Sequence, residues 1–252
     1  MKNLFLVLIV IAGSTFFFSC KKDDAIYPNK SKVQLIINSS QTVPVKAPAA
    51  YSSMNNAIST LTLESFKVNI TEIEFGIDEE AEGVSGDVLD SLVEANEFKG
   101  QFLVDLLSQK ALDGLSIGST YIPNAIYEEI EFKMKPSTDN SKPDTYNRTV
   151  YITGMLNGKP LKFWTTEEFE YKIEFPDGSN FSLTGDNFKL YLDFSLGLVI
   201  NSFNQFDFST VHDGNNNGVY EIGPNDTDGN TELAHYIADA MENSFELDKE
   251  ND

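Results

Sequence analysis

Apolar residues recur at every second position over most of the chain. Val33, Leu35 and Ile37 alternate with polar neighbours, and Phe66, Val68 and Ile70 do the same before the phase slips across Thr71-Glu72 to Ile73 and Phe75. Successive side chains of a strand point to opposite faces, so a period of two predicts half-buried strands and a one-residue slip predicts a β-bulge. Ile126, Ile130, Phe132 and Met134 share one predicted face, with Glu129, Glu131, Lys133 and Lys135 on the other. Val150, Ile152 and Leu156 lead to Asn157-Gly158, a pair suited to a type I′ turn because both residues accept positive φ, and Leu161 and Phe163 return. Phe169, Tyr171, Ile173 and Phe175 form a further strand, the Pro176-Asp177-Gly178 turn follows, and Phe188, Leu190, Leu192, Phe194, Leu196 and Leu198 make the next. Half-polar strands of this kind predict antiparallel pairing.

Two stretches have helical spacing. Leu233, Ile237, Ala240, Met241 and Phe245 recur at intervals of three and four, which predicts an amphipathic helix over Thr231 to Leu247 with Asn230 or Thr231 as its cap. Val84 to Asn96 fits a short helix through Val88, Leu89, Leu92 and Val93, although Gly83 and Gly86 blur its start. The polar segment Ser137 to Asn147, bracketed by Pro136 and containing Pro143, reads as a surface loop. No internal repeat or low-complexity linker divides the chain. The expected architecture is a mainly β fold, a single antiparallel β-sandwich over 32–252 with one C-terminal helix packed against it.

The N-terminus follows a different pattern. Met1 and Lys2 give a positive start, and Leu4 to Phe18 is an apolar run broken only by Gly13, Ser14 and Thr15, ending at Ser19-Cys20. A membrane-spanning helix needs about 20 apolar residues, so this is the length and grammar of a cleaved export signal over 1–19. Cys20 is the chain's only cysteine and stands where a lipoprotein signal peptidase leaves the new N-terminus. Residues 20–31 then supply a lipidated cysteine and a tether; the stretch from Lys21 to Ser31 reaches at most about 40 Å when extended.

Composition sharpens this picture. The 252 residues are 41% hydrophobic and 12% aromatic, enough to bury a core. Thirty-nine acidic residues against 18 basic ones leave a formal charge of −21, and Arg148 is the only arginine. Phosphate backbones are gripped by clustered Lys and Arg, so nucleic acid is excluded as a partner. The same charge leaves the lipid anchor as the only attachment to a membrane.

Phe17-Phe18-Ser19-Cys20 followed by Lys21-Lys22-Asp23-Asp24 resembles the start of bacterial lipoproteins, in particular those of the Bacteroidota, with phenylalanines where the stricter lipobox has leucine and alanine or serine. There the lysine and paired acids after the cysteine imply placement on the outer face of the outer membrane. Phe98 to Leu107, with its Val104-Asp105-Leu106-Leu107, and Ile122 to Phe132 resemble an uncharacterised lipoprotein domain with a transthyretin-like sandwich, except that Ala125-Ile126 precede Tyr127 where that domain has glycine. That resemblance implies a fold and no activity.

Candidate chemistry gathers between Asp213 and Glu232. Asp213, Asn215, Asn217 and Gly218 occupy positions one, three, five and six of a calcium-loop pattern, with Glu221 at position nine. Hard oxygen ligands two residues apart converge on one point in a tight turn, which is what Ca²⁺ requires. The match is partial: Pro224 stands at position twelve in place of a bidentate glutamate, and Asp226, Asp228 and Glu232 would have to supply the missing carboxylates. The same residues also make plain turns through Asx hydrogen bonds, and both readings stay open.

Other signals are weaker. His212 and His235 are the only histidines, too few for a zinc site, and no Gly-x-Ser-x-Gly elbow or phosphate-cradling glycine loop occurs. Trp164 is out of phase with Leu161 and Phe163, so it either offers a stacking surface to a glycan or lies in a second packed layer. Asp90-Ser91-Leu92 resembles the acceptor motif for O-glycosylation in Bacteroidota, at Ser91. Two functional classes follow: a non-enzymatic, lipid-anchored surface module for binding or assembly, whether with a glycan, a protein partner or a fimbria-like structure, and a secreted glycosidase-like hydrolase that uses paired carboxylates.

Overall fold

Strands form where the alternation is strongest. The computed structural model describes residues 30–40, 61–78, 96–174, 181–184, 187–196 and 206–242. Residues 1–29, with Cys20, and the segment holding Ser91 lie outside these, as do most of the expected Val84–Asn96 helix, the Pro176-Asp177-Gly178 turn and the end of the C-terminal helix. More than half of the described residues are in strands, in a curled multi-strand sheet with one long helix.

In chain order the elements are β1 (Lys30–Ser40), β2 (Leu61–Ile77), β3 (Glu97–Asp105), α1 (Gln109–Leu112), β4 (Leu115–Pro123), β5 (Ile126–Met134), β6 (Val150–Leu156), β7 (Lys159–Thr165), β8 (Phe169–Glu174), β9 (Phe181–Ser182), β10 (Asn187–Ser195), β11 (Tyr220–Ile222) and α2 (Thr231–Glu242). The large sheet runs β11-β7-β6-β2-β5-β8, with β3 on β2 and β9 on β5; the small sheet is β10-β1-β4.

The long strand β2 organises the large sheet. Its first half pairs with β6 and its second half with β5, while β3 runs along positions 67 to 74. The handover falls at Asn69, whose N–H donates to the Thr149 carbonyl at 2.9 Å and whose carbonyl accepts from the Lys135 N–H at 3.3 Å. In an extended strand these two groups point to the same edge, so β6 and β5 share one edge end to end. The gap between them is closed by the buried Asn69 side chain, which donates to the Lys135 carbonyl at 2.8 Å and to Gln101 Oε1 at 3.2 Å. Two residues on, the register of β2 shifts between Ile70 and Glu72 against both β3 and β5, the bulge that the phase slip predicts.

The inward faces of both sheets meet in one core. Val33, Leu35 and Ile37 from β1 and Leu192 and Phe194 from β10 join Phe66, Ile70, Ile73 and Phe75 from β2 and Phe132 and Met134 from β5. Phe194 meets the Phe132 ring edge-on at 5.7 Å, and Phe132 stacks on Tyr171 at 4.9 Å, so one aromatic row crosses from the small sheet into the large one. Helix α2 adds Ala234, Ile237, Ala238 and Met241. Asn157 and Gly158 have φ of 54° and 78°, as a type I′ hairpin between β6 and β7 demands.

Four expectations change. Pairing is not uniformly antiparallel: β10 runs parallel to β1, and β11 parallel to β7. Parallel neighbours need long crossovers, and here most of the large sheet is built between β1 and β10. In β5, Ile126 does not share the inward face; a register shift at Gly76/Ile77 passes over Glu128, so Tyr127 is buried in its place and donates its hydroxyl to the Pro123 carbonyl at 2.7 Å. β1 begins at Lys30, inside the span expected for a tether, because Lys30 and Ser31 pair with Pro123 and Ile122 of β4. Asn230 precedes α2, but its side chain donates to the carbonyls of His212 at 2.9 Å and Glu221 at 2.8 Å and so clamps two loop segments instead of capping the helix.

Replacing Asn69 by alanine removes the donor that closes the seam and deprives the part-buried Lys135 carbonyl of that hydrogen bond. The expected loss is about 2 kcal/mol, measured as a lower urea midpoint with unchanged slope.

Candidate functional site

Two polar constellations stand on this scaffold. The first lies on the outer face of the large sheet. Because the bulge after Ile70 turns Ile73 and Phe75 inward, Glu72 and Glu74 point out. Strand register then builds two rows across β3, β2, β5 and β8: Glu97, Glu74, Glu131 and Lys172 in one, and Lys99, Glu72, Lys133 and Glu170 in the next. The second row alternates in sign. The first places three glutamates side by side, and like charges directly opposite are destabilising.

Lysines from neighbouring rows relieve that repulsion. Lys133 Nζ lies 3.1 Å from Glu131 Oε1, 3.3 Å from Glu72 Oε1 and 3.8 Å from Glu74 Oε2, and Lys99 pairs with Glu97. Burial alone would lower the Lys133 pKa, but the hydrogen bond and charge of Glu131, helped by Glu72, outweigh it and hold the ammonium above the usual lysine value. Burial would raise Glu131, yet hydrogen bonds from Glu170 and Lys133 bring it below the carboxylate norm. Glu74 is raised, first by burial and then by Glu131, and the hydrogen bond to Glu131 raises Glu170.

Oxygens of Glu72, Glu74 and Glu97 lie within 4.8 Å of one another, and among the described residues they form the one set of three acidic or metal-ligating side chains so close. Such a set could hold a metal ion, and carboxylates with opposed pKa shifts are also what acid–base chemistry uses. Here Lys133 supplies the counter-charge. The alternating glutamates of β2 are visible in the sequence, but strand register, which is not, brings Glu97 beside them.

The second constellation is the predicted loop. Asp213 accepts from the N–H groups of Asn217 and Gly218, each at 3.0 Å, and its Oδ2 takes the Lys159 ammonium at 2.5 Å. That lysine hydrogen bond, ahead of burial and the two backbone bonds, sets the direction and lowers the Asp213 pKa. Asn215 Oδ1 accepts from Asn217 N–H at 2.8 Å, and Asn217 Oδ1 from Val219 N–H at 2.8 Å. Buried Asp228 accepts from the N–H of Asn215 at 3.2 Å and of Glu221 at 2.8 Å, and Glu221 Oε2 takes Asn215 Nδ2 and the Thr227 hydroxyl. Asp226 gathers the N–H groups of Asp228, Gly229 and Asn230 on Oδ1 and that of Gly223 on Oδ2. Glu232, at the exposed start of α2, makes no described bond to this network. The loop thus fastens α2 to β11 through Asn230 and to the β6–β7 hairpin through Lys159, a partner sequence reasoning missed.

Remaining candidates sit apart. Half-buried Trp164 packs under the Arg148 guanidinium, 4.7 Å from ring centre to Cζ, and so closely against Gly223 that no Cβ would fit there. His212 and His235 are exposed; His235 Nδ1 lies 3.1 Å from Glu167 Oε1 and His212 Nδ1 3.2 Å from the Thr210 carbonyl. A cavity of about 390 Å³ lies on the outer face of the small sheet, and no carboxylate lines it. No described helix is long and apolar enough to cross a membrane.

Comparison with protein-family models, curated proteins and solved structures gives no match, so function has to be read from the residues themselves.

Glu74 titrates above its ordinary value, so the folded state binds that proton more tightly than the unfolded chain does. Charged Glu74 therefore costs stability above its folded pKa, and the cost fades as pH falls towards 4.5. Glu74→Gln is expected to stabilise the protein by about 0.5–1 kcal/mol near neutral pH. That gain should vanish below about pH 4, where both states are protonated, as read from urea midpoints across the pH series.

Proposed function

We propose that this chain is an exported, lipid-anchored module of the bacterial cell envelope that binds and does not catalyse. The observation that carries the reading is the N-terminal grammar, a short apolar signal ending at the single cysteine, Cys20. On this reading the signal is removed, Cys20 takes the diacylglycerol, and the Lys21-Lys22-Asp23-Asp24 start directs the folded part to the outer surface of the outer membrane. The two sheets then form a transthyretin-like sandwich, a type supported by the core they share.

Binding is favoured over hydrolysis by the setting of the carboxylates. Glu72, Glu74, Glu97 and Glu131 stand on a sheet face and are neutralised by Lys133 and Lys99, whereas the cavity on the small sheet lacks an acid. A glycosidase needs an acid and a base on either side of a bond held in a cleft.

A structural Ca²⁺ in the Asp213–Glu232 loop is the second reading. It is favoured by the way Asn217 and Gly218 donate to Asp213, which folds positions one to six back on the first carboxylate. Lys159 competes for the same oxygen.

Cys20→Ala is expected to move the protein from the membrane fraction to the soluble one, and mass analysis of the wild-type N-terminus should show diacylglycerol on the sulfur; a bare thiol on a membrane-free protein removes the reading. For the loop, Ca²⁺ is expected to raise the thermal midpoint relative to EDTA, and an unchanged midpoint leaves Asx bonding as the whole of its chemistry.

A further inference from the structure

Positive charge is unevenly paired in this acidic protein. Lys99, Lys133, Lys135, Lys142, Lys159 and Lys172 each meet a carboxylate. Lys30, Lys32, Lys67, Lys110, Lys162 and Lys189 meet none among the described residues, and of these Lys32 and Lys189 share one cavity. Both stand on the outer face of the small sheet, and both line its cavity.

The strand register explains how that cavity arises. Gln34 of the central strand β1 faces Lys189 on one side and Ser119 on the other, while Lys32 faces Asn187 and Tyr121. A register shift at Leu35/Ile36 absorbs Ile117 and keeps Ser116 on the same face, where its hydroxyl accepts from Gln34 Nε2 at 3.0 Å. Short serines on β4 and longer lysine and asparagine on β10 thus leave a trough of about 390 Å³ above β1. Its lining combines ammonium, amide and hydroxyl groups with Phe188 and Gly118. Two tyrosines stand on the same outer face, Tyr121 at 61% and Tyr191 at 52% exposure.

From this geometry we infer that the outer face of β10-β1-β4 binds an acidic glycan, with Lys32 and Lys189 taking carboxylates of the sugar chain. Lys32 and Lys189 sit one strand and two residues apart, a diagonal of about 8 Å. Sparse, regularly spaced carboxylates suit two such cations. Hydroxyls of the sugar meet Gln34, Ser116, Ser119 and Asn187, which both donate and accept. The tyrosine faces accept the apolar faces of sugar rings, where C–H groups lie against the π cloud. A long, densely charged polyanion would extend past the two lysines and come within about 10 Å of the acidic surface beyond them, where repulsion is no longer screened. An acidic peptide would find carboxylate partners here but would gain little from paired side-chain amides and hydroxyls.

This inference deepens the reading of the chain as a binding module and rests on it. The test is retention of the full-length protein, in detergent and EDTA, on immobilised polygalacturonate, with dextran and poly-L-glutamate as the other matrices. Retention is expected on polygalacturonate alone, lost as salt is raised. Lys32→Glu with Lys189→Glu should weaken it about tenfold or more, and Tyr121→Ala with Tyr191→Ala should weaken it severalfold at unchanged salt dependence. If the half-buried position 32 prevents folding, Lys189→Glu with Tyr121→Ala, both at exposed sites, reads the same loss. No retention, equal retention on poly-L-glutamate, or retention indifferent to these variants overturns the inference. If Cys20 proves lipidated while retention is absent, this site alone falls; if the sulfur is bare while retention holds, the envelope placement falls and the site stands.

Discussion

The described fold depends on how the backbone of β2 is satisfied. A strand inside a sheet must pair its N–H and C=O groups along both edges, since a buried unpaired amide costs about as much as a lost hydrogen bond. β2 is 17 residues long, and no single neighbour spans it. β6 covers one half, β5 the other, and β3 the opposite edge across the middle. Where two strands meet end to end a polar gap opens, and the buried Asn69 side chain fills it from the face opposite the core. Both wings of the large sheet, β6-β7-β11 and β5-β8, diverge from that residue.

The bulge at Thr71 follows from the same constraint and has a chemical consequence. Without it, Glu72 would fall in phase with Phe66, Val68 and Ile70 and enter the core as an unpaired charge. One extra residue turns Glu72 and Glu74 to the outer face and keeps Ile73 and Phe75 buried. The acidic rows therefore result from core packing, and Lys133, Lys99 and Lys172 make them tolerable. Exposed or half-exposed pairs of this kind contribute little stability individually. Their effect is to engage Lys99, Lys133 and Lys172 with the glutamates of this face.

Period-two alternation was sufficient to place β1, β2, β5, β6, β7, β8 and β10, because each buries one face and water covers the other. Asn157-Gly158 was legible for a similar reason, since two consecutive positive φ values narrow the choice of residues sharply. Pairing partners were not legible. Alternation says which face a residue takes and nothing about the neighbouring strand, so the parallel β1–β10 and β7–β11 contacts, and the meeting of Glu97 with Glu74, emerge only in three dimensions. Tyr127 shows the limit within a strand: a second bulge, at Glu128, exchanges it with Ile126, and no local signal marks that shift. In the loop, the polar ring of Asp213, Asn215, Asn217, Asp226 and Asp228 was visible as a spacing, whereas Lys159, 54 residues earlier than Asp213, was not.

The two sheets divide the chain's charge between them. On the large sheet, strand register juxtaposes acids and lysines across β3, β2, β5 and β8, so that Lys99, Lys133 and Lys172 are spent locally. On the small sheet the outward positions of β1, β4 and β10 carry serine, glutamine, asparagine, tyrosine and lysine with Ile36 among them, and the one acid in their register, Asp193, accepts from Asn38 at 2.7 Å. An overall charge of −21 therefore does not describe the field at that face. Screening limits the influence of distant carboxylates to about 10 Å at 0.1 M salt, so the local arrangement governs what approaches. A protein this acidic still presents a short stretch of positive, hydroxyl-lined sheet. That contrast exists because core packing dictates where the glutamates of β2 and β5 emerge, and they emerge on the other sheet.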